Sequence, residues 1–234
     1  MSELEPAKPG RVRDAATLIL LDRSAPKTLV LMGKRHAGHK FMPGKFVFPG
    51  GAVDPSDRLM GVAGGLGADV EKSLLARTGR PSPSFARALA MAALRETFEE
   101  TGLALGMAGG ETSAAPPEGA WARFAATGVA PALDGLDFLA RAITPPGRSK
   151  RFDTRFFVAN AGLVAHREQG VVHAQAELVE LVWTPLDEAL DLDIAAITRV
   201  VLKDLDAAIA AGMDRARRRP FYREAHGRWL RGSL

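Results

Sequence analysis

A mixed α/β (α+β) fold is what this 234-residue chain predicts, and three observations predict it. Apolar runs of strand length recur near the start and again through the second half. Two longer stretches carry helical spacing, and one of them stops at a glycine. The two kinds of element alternate without the fixed period of a barrel or a doubly wound sheet.

Residues 1–10 read as a flexible tail. Apolar runs at 14–22 and 28–33 are split by Ser24, Ala25 and Pro26, and predict two strands joined by a turn. A loop containing glycine and histidine leads to Phe46–Val47–Phe48–Pro49–Gly50–Gly51. The stretch to residue 83 predicts a loop with a short helix. Ser84 is placed to cap a helix running to Thr101, which Gly102 terminates. Residues 104–134, rich in Ala, Gly and Pro, predict an inserted loop with one helix around 119–127. Strand-like segments return at 139–144, 154–160 and 177–184, where Phe156 and Phe157 read as strand core. A helix is expected at about 192–211. The expected organisation is one domain over 11–214, with insertions at about 58–83 and 104–134. A basic C-terminal extension at 215–234 follows.

Composition narrows the chemistry. With no cysteine, disulfides, thiolate metal sites and cysteine nucleophiles are excluded. No uncharged stretch reaches membrane-spanning length, and residues 1–10 lack the apolar core of a secretory signal, so a cytoplasmic protein without a membrane partner is expected. Lys and Arg number 31 against 27 Asp and Glu, a net charge of +4. Arg215, Arg217, Arg218, Arg219, Arg223, Arg228 and Arg231 crowd the end, and Arg148, Lys150 and Arg151 form a second group. The plain reading of both is a solvated surface. A mild basic excess also suits a polyanionic ligand such as a nucleotide. No groove-reading or base-stacking motif accompanies the charge, so no specific nucleic acid is expected.

The chemistry concentrates in Arg95-Glu96-Thr97-Phe98-Glu99-Glu100-Thr101-Gly102-Leu103. At about 100° per residue, Glu96, Glu99 and Glu100 share one helix face. Leu94, Phe98 and Met91 hold the opposite one. Glu96 and Glu100 are a like-charge i,i+4 pair, and Glu99 and Glu100 sit in the last turn, where the helix dipole disfavours anions. Breaking two local rules in one turn points to a compensating ligand. A set of oxygen donors at this density suits Mg²⁺ or Mn²⁺. Gly50 and Gly51 let backbone approach a ligand closely, and the Gly51 carbonyl is a further candidate donor.

Together these segments resemble the Nudix hydrolase signature, G-x5-E-x7-R-E-U-x-E-E-x-G-U with U aliphatic. Arg95, Glu96, Glu99, Glu100, Gly102 and Leu103 match its second half. Gly51 matches its start, with Asp57 where the early glutamate stands. Thr97 fills an aliphatic slot, and about thirty extra residues split the two halves. The resemblance implies an α/β/α sandwich with a mixed sheet and helical insertions, and a divalent-metal enzyme that cleaves diphosphate bonds. It implies Glu96, Glu99 and Glu100 as metal ligands and Arg95 as the group that orients them. Glu96, Glu99 and Arg95 are thus the catalytic candidates. The general base stays open between Glu96 and a downstream glutamate, Glu177 or Glu180.

A second pattern lies upstream. Leu31-Met32-Gly33-Lys34-Arg35-His36, then Lys40, Gly44 and Phe48-Pro49-Gly50-Gly51, resembles the coenzyme A diphosphatase motif, L-L-T-x-R-(S/A)-x3-R-x3-G-x3-F-P-G-G. The spacing agrees throughout. With the split signature, this is most similar to the peroxisomal-type branch and its bacterial relatives. It implies coenzyme A or an acyl-coenzyme A as substrate, with Arg35, Lys40, Gly50 and Gly51 contacting it. ADP-ribose, NADH or another nucleoside diphosphate derivative is the alternative. A nucleotide sensor without turnover and an RNA-binding protein using the arginine-rich end are the remaining readings. The complete carboxylate set argues against the sensor. Homo-oligomerisation is compatible with any of them.

Overall fold

The computed structural model of the protein describes residues 11–39, 42–79, 81–112, 115–214, 217–225 and 228–234. The expected tail at 1–10, Lys40 and Arg215 lie outside them. In chain order, β1 (Val12–Asp22) and β2 (Leu29–Arg35) come first, followed by the short β3 (Phe46–Val47) and β4 (Gly50–Ala52). Helices α1 (Ala68–Leu75) and α2 (Pro83–Thr101) lead into β5 (Leu103–Ala108), α3 (Ala120–Ala126) and β6 (Val129–Pro131). Next come β7 (Asp137–Ile143), β8 (Arg151–Asn160), β9 (Val164–Arg167) and β10 (Leu178–Pro185). Helix α4 (Ala196–Ala210) precedes the hairpin of β11 (Pro220–Ala225) and β12 (Arg228–Ser233).

The main sheet is mixed and runs β10-β2-β1-β8-β7-β11-β12, with β3 beside β2 and β4 beside β1. Its centre is the parallel pair β1–β8, in register from Val12–Arg151 to Leu21–Asn160. A smaller sheet runs β6-β5-β9. Alternate residues of a strand point to opposite faces, and β1 uses both. Ala16, Leu18 and Leu20 pack with α2 through Leu89, Leu94 and Phe98. Ile19 and Leu21 pack with α4 through Val201, Leu202 and Leu205. Strand β8 splits likewise, Phe157 to the first cluster and Phe156 to the second. The result is the expected α/β/α sandwich, a mixed sheet between two helical layers.

The structure differs from the sequence reading in three places. Helix α2 is capped by Ser82, whose side chain accepts from the Phe85 amide, so it starts two residues ahead of Ser84. Pro83 at its first position is preset for that start. Its other end is as expected: Gly102 adopts the left-handed cap at φ 75°, which a side chain resists. The 104–134 region carries β5 and β6 as well as α3, because Leu103–Leu105 and Val129–Ala130 are buried strands in the small sheet. Residues 220–233 are not a loose extension. They form a hairpin whose β11 joins β7 in parallel at Phe221–Arg141 and Tyr222–Ala142.

Candidate active site

Strand β4 lies against β1 through the pairs Ala15–Ala52, Ala16–Gly51 and Thr17–Gly50. Helix α2 crosses beneath, so its last two turns face the glycine turn. A side chain at Gly50 would strike the Ala16 carbonyl and Thr17, and one at Gly51 would overlap the Glu96 carboxylate. Gly50 thus lets the turn close on β1, and Gly51 lets it sit on the acidic face of α2. The Gly50 amide donates to Glu100 Oε2 at 3.0 Å.

Arg95 organises the other side. Its Nη1 donates to Glu96 Oε1 and Glu99 Oε1, both at 2.9 Å. Its Nε and Nη2 fork onto Asp57 at 2.7 and 3.1 Å, and Nη2 also donates to the Ala52 carbonyl at 2.9 Å. That engages all five guanidinium N–H groups. Asp57 is fully buried and equally saturated: the Trp121 indole donates to its Oδ1 at 3.0 Å and the Asp54 amide to its Oδ2 at 2.8 Å. Thus the two halves of the split signature meet across 38 residues of chain. Burial alone would lower the Arg95 pKa; the Asp57 bond and the Glu96 charge outweigh it, and the net shift is upward.

The carboxylates are held at a cost. Burial pushes Glu96 up to about 7, and Glu99 and Glu177 push the same way against Arg95. Glu100 lies well above the usual carboxylate range, first through burial and then through the charge of Glu177, against Arg35. More negative charge is buried here than the neighbouring cations balance.

Arg35 ends β2 and is nearly buried. Its Nη2 lies 2.8 Å from Glu177 Oε1 and 3.8 Å from Glu100 Oε1, and its Nη1 bonds His39 Nδ1 at 2.8 Å. Glu177 is brought there by the β2–β10 pairing, where its carbonyl accepts from the His36 amide. Glu180 is not brought there: half-exposed, it pairs with Lys34 on the same two strands, away from the cluster. So Glu96, Glu99, Glu100, Arg95, Arg35, Glu177, Gly50 and Gly51 converge, and Glu180 does not. Sequence reasoning missed Trp121 and His39 as parts of this site. Trp121 gave no local signal, since its partner Asp57 is 64 residues away, whereas His39 stands four residues from Arg35, at a position the upstream motif leaves unspecified.

The donor set fits a divalent cation. It is made of hard oxygens, its carboxylates are raised by mutual repulsion and burial, and a glycine leaves the space beside Glu96. Among the described residues no three of these groups already form a closed cage; Glu96 and Glu99 share Arg95 instead. A cleft of about 800 Å³ opens from this cluster, with Gly50, Gly51, Glu96, Arg35 and Glu177 in its lining. That volume suits a nucleotide-sized ligand.

No family model matches the chain. A Caenorhabditis elegans protein assigned as nudix hydrolase 7 is 27% identical over 188 residues, covering 76% of this chain. The chain spans about half the length of that relative, 53%. The crystal structure of a Nudix hydrolase from Alicyclobacillus acidocaldarius is 31% identical and superposes with a TM-score of 0.60. It covers 86% of this chain, and this chain covers 96% of it. With the Arg95–Asp57 bridge closing the split signature and a relative of that identity matched along nearly its whole length, the chain belongs to the Nudix hydrolase family.

Proposed function

We propose that the protein hydrolyses the diphosphate of coenzyme A or an acyl-coenzyme A, giving 3′,5′-ADP and (acyl-)4′-phosphopantetheine. The observation that carries the hydrolase reading is the cluster of Glu96, Glu99 and Glu100 under the Gly50–Gly51 turn, locked by Arg95 and opening into one cleft. The coenzyme A reading rests on the spacing of Arg35, Gly44 and Phe48–Gly51.

Glu96, Glu99 and Glu100, with the Gly51 carbonyl, would hold Mg²⁺ or Mn²⁺. When bound, the cation neutralises diphosphate charge and lowers the barrier to attack by water. Water oxygen bonds to one phosphorus as the bridging P–O bond breaks, leaving two phosphate monoesters and a released proton. Arg95 fixes the two glutamates it touches, so that the acidic face is preorganised. Glu177 is the better placed of the two downstream candidates to take the proton, because it lies in the cleft and Glu180 does not. Arg35, already clamped between Glu177 and Glu100, serves the diphosphate end.

The alternative substrate is ADP-ribose or another nucleoside diphosphate derivative. The departures of the upstream motif favour it: Lys40 replaces arginine, and Gly33 replaces threonine where Leu178 fills the space of a side chain. Turnover with Mg²⁺ or Mn²⁺ over coenzyme A, acyl-coenzyme A esters, ADP-ribose and NADH decides between them, read by product analysis. EDTA is expected to abolish activity and added metal to restore it. Undiminished turnover in metal-free protein would refute the mechanism, and the product identified with ADP-ribose alone would refute the coenzyme A assignment.

A further inference from the structure

We infer that Arg148 and Lys150, in the loop between β7 and β8, recognise a second phosphate of the substrate: a monoester on the same nucleotide, away from the bond that breaks. The inference rests on the diphosphatase reading above and deepens it.

The cleft that holds Glu96 and Glu177 also has Arg13, Arg148 and Lys150 in its lining. Its two ends are set apart by strand register. Gly51 is level with Ala16 of β1, and Arg151 is level with Val12, four residues along the same strand. At the rise of a β-strand this is about 13 Å. Arg148 and Lys150 lie in the loop just beyond Arg151. The acidic end and the basic end therefore belong to one cleft at different levels, a separation that suits two phosphate groups. Between them the lining is largely apolar, with Ala142, Phe152, Phe156 and Ile197, as suits a nucleoside.

Placement in the cleft separates this from an ordinary solvated loop: Arg148 and Lys150 line it beside its apolar stretch. Both are exposed, and among the described residues neither has a carboxylate partner. Two like charges on one short loop repel, and a doubly charged phosphate monoester relieves both. Arginine adds a planar fork that can hold two phosphate oxygens at once. Arg35 is engaged by Glu177 and Glu100 at the opposite end.

The test separates binding from turnover. Adenosine 3′,5′-bisphosphate and 5′-AMP differ by one phosphate monoester, and their affinities are measured by calorimetry with Mg²⁺ present. Wild type is expected to prefer the bisphosphate by at least ~10-fold, the lower range for a lost charge-assisted hydrogen bond. In R148A/K150A that ratio should collapse toward one, and in R148K/K150R it should largely return. A wild type without the preference, or an R148A/K150A variant that keeps it, overturns the inference. Because both substitutions lie on an exposed loop, thermal melting checks the fold, and R148Q and K150Q serve singly if the double variant melts early. A protein that shows the preference yet fails to cleave coenzyme A refutes the proposed substrate and leaves the phosphate site standing. Cleavage of coenzyme A without the preference refutes the site alone.

Discussion

Asp57 accepts four hydrogen bonds with no exposed surface, so its charge is satisfied only while every donor stays in place. One of those donors, Trp121, touches neither metal nor substrate and is a positioning residue acting through Asp57 and Arg95. Trp121→Phe keeps most of the packing against Phe124 and removes the N–H. A lost hydrogen bond to a buried charge costs about 1–3 kcal/mol, which should appear in a urea melt. A purely structural role would stop there. Positioning predicts in addition that Mn²⁺ affinity, read by electron paramagnetic resonance, falls in the folded variant; unchanged affinity would reduce Trp121 to a core residue. Glu100 gives the complementary case. Glu100→Gln removes a charge that burial and Glu177 oppose, so the metal-free fold should be retained. Turnover should nevertheless drop by at least ~10²-fold, in the range of a core catalytic group. Near-normal rates in that folded variant would return the acidic face to a structural role.

Between elements, legibility followed the reach of the interaction. Helix α2 was readable because its acidic and apolar faces repeat at three and four residues, and because Gly102 stops it locally. Strands β1, β2 and β8 were readable from dense apolar runs. The hairpin β11–β12 was not, because arginines at 217–219, 223, 228 and 231 dominate its composition and mask the strand pattern. In the fold Arg217, Arg219 and Arg231 of these are paired. Arg217 and Arg219 pair with Asp137, Arg219 donates to the Phe138 carbonyl, and Arg231 and Tyr222 share Asp204. Phe221 packs under the Arg141 guanidinium, 4.7 Å from ring centre to carbon, with its own surface nearly gone. Phe221→Ala should therefore cost about 3–5 kcal/mol, the range for a buried aromatic, measured by denaturant melt. A loss below ~1 kcal/mol would mean that the hairpin is an accessory flap.

For the molecule as a whole, four site residues were legible as one contiguous string; Asp57, Arg35 and Glu177 were named only through resemblance to a longer pattern, and Trp121 not at all. Glu96, Glu99, Glu100 and Arg95 fall within six residues, whereas Asp57, Trp121, Arg35 and Glu177 arrive from four separate segments through strand pairing and packing. No local spacing encodes that meeting. The Arg95–Asp57 bridge is what makes the separation harmless. With both ends of the intervening segment pinned by a buried ion pair, the entropy of closing that loop grows only with the logarithm of its length. Each doubling costs about 0.6 kcal/mol. This connection can therefore carry α1 and its contacts while the glutamates keep their alignment. The same tolerance marks Gly79, exposed and with open space where a side chain would go, as a place to graft new sequence while the chemistry stays where it is.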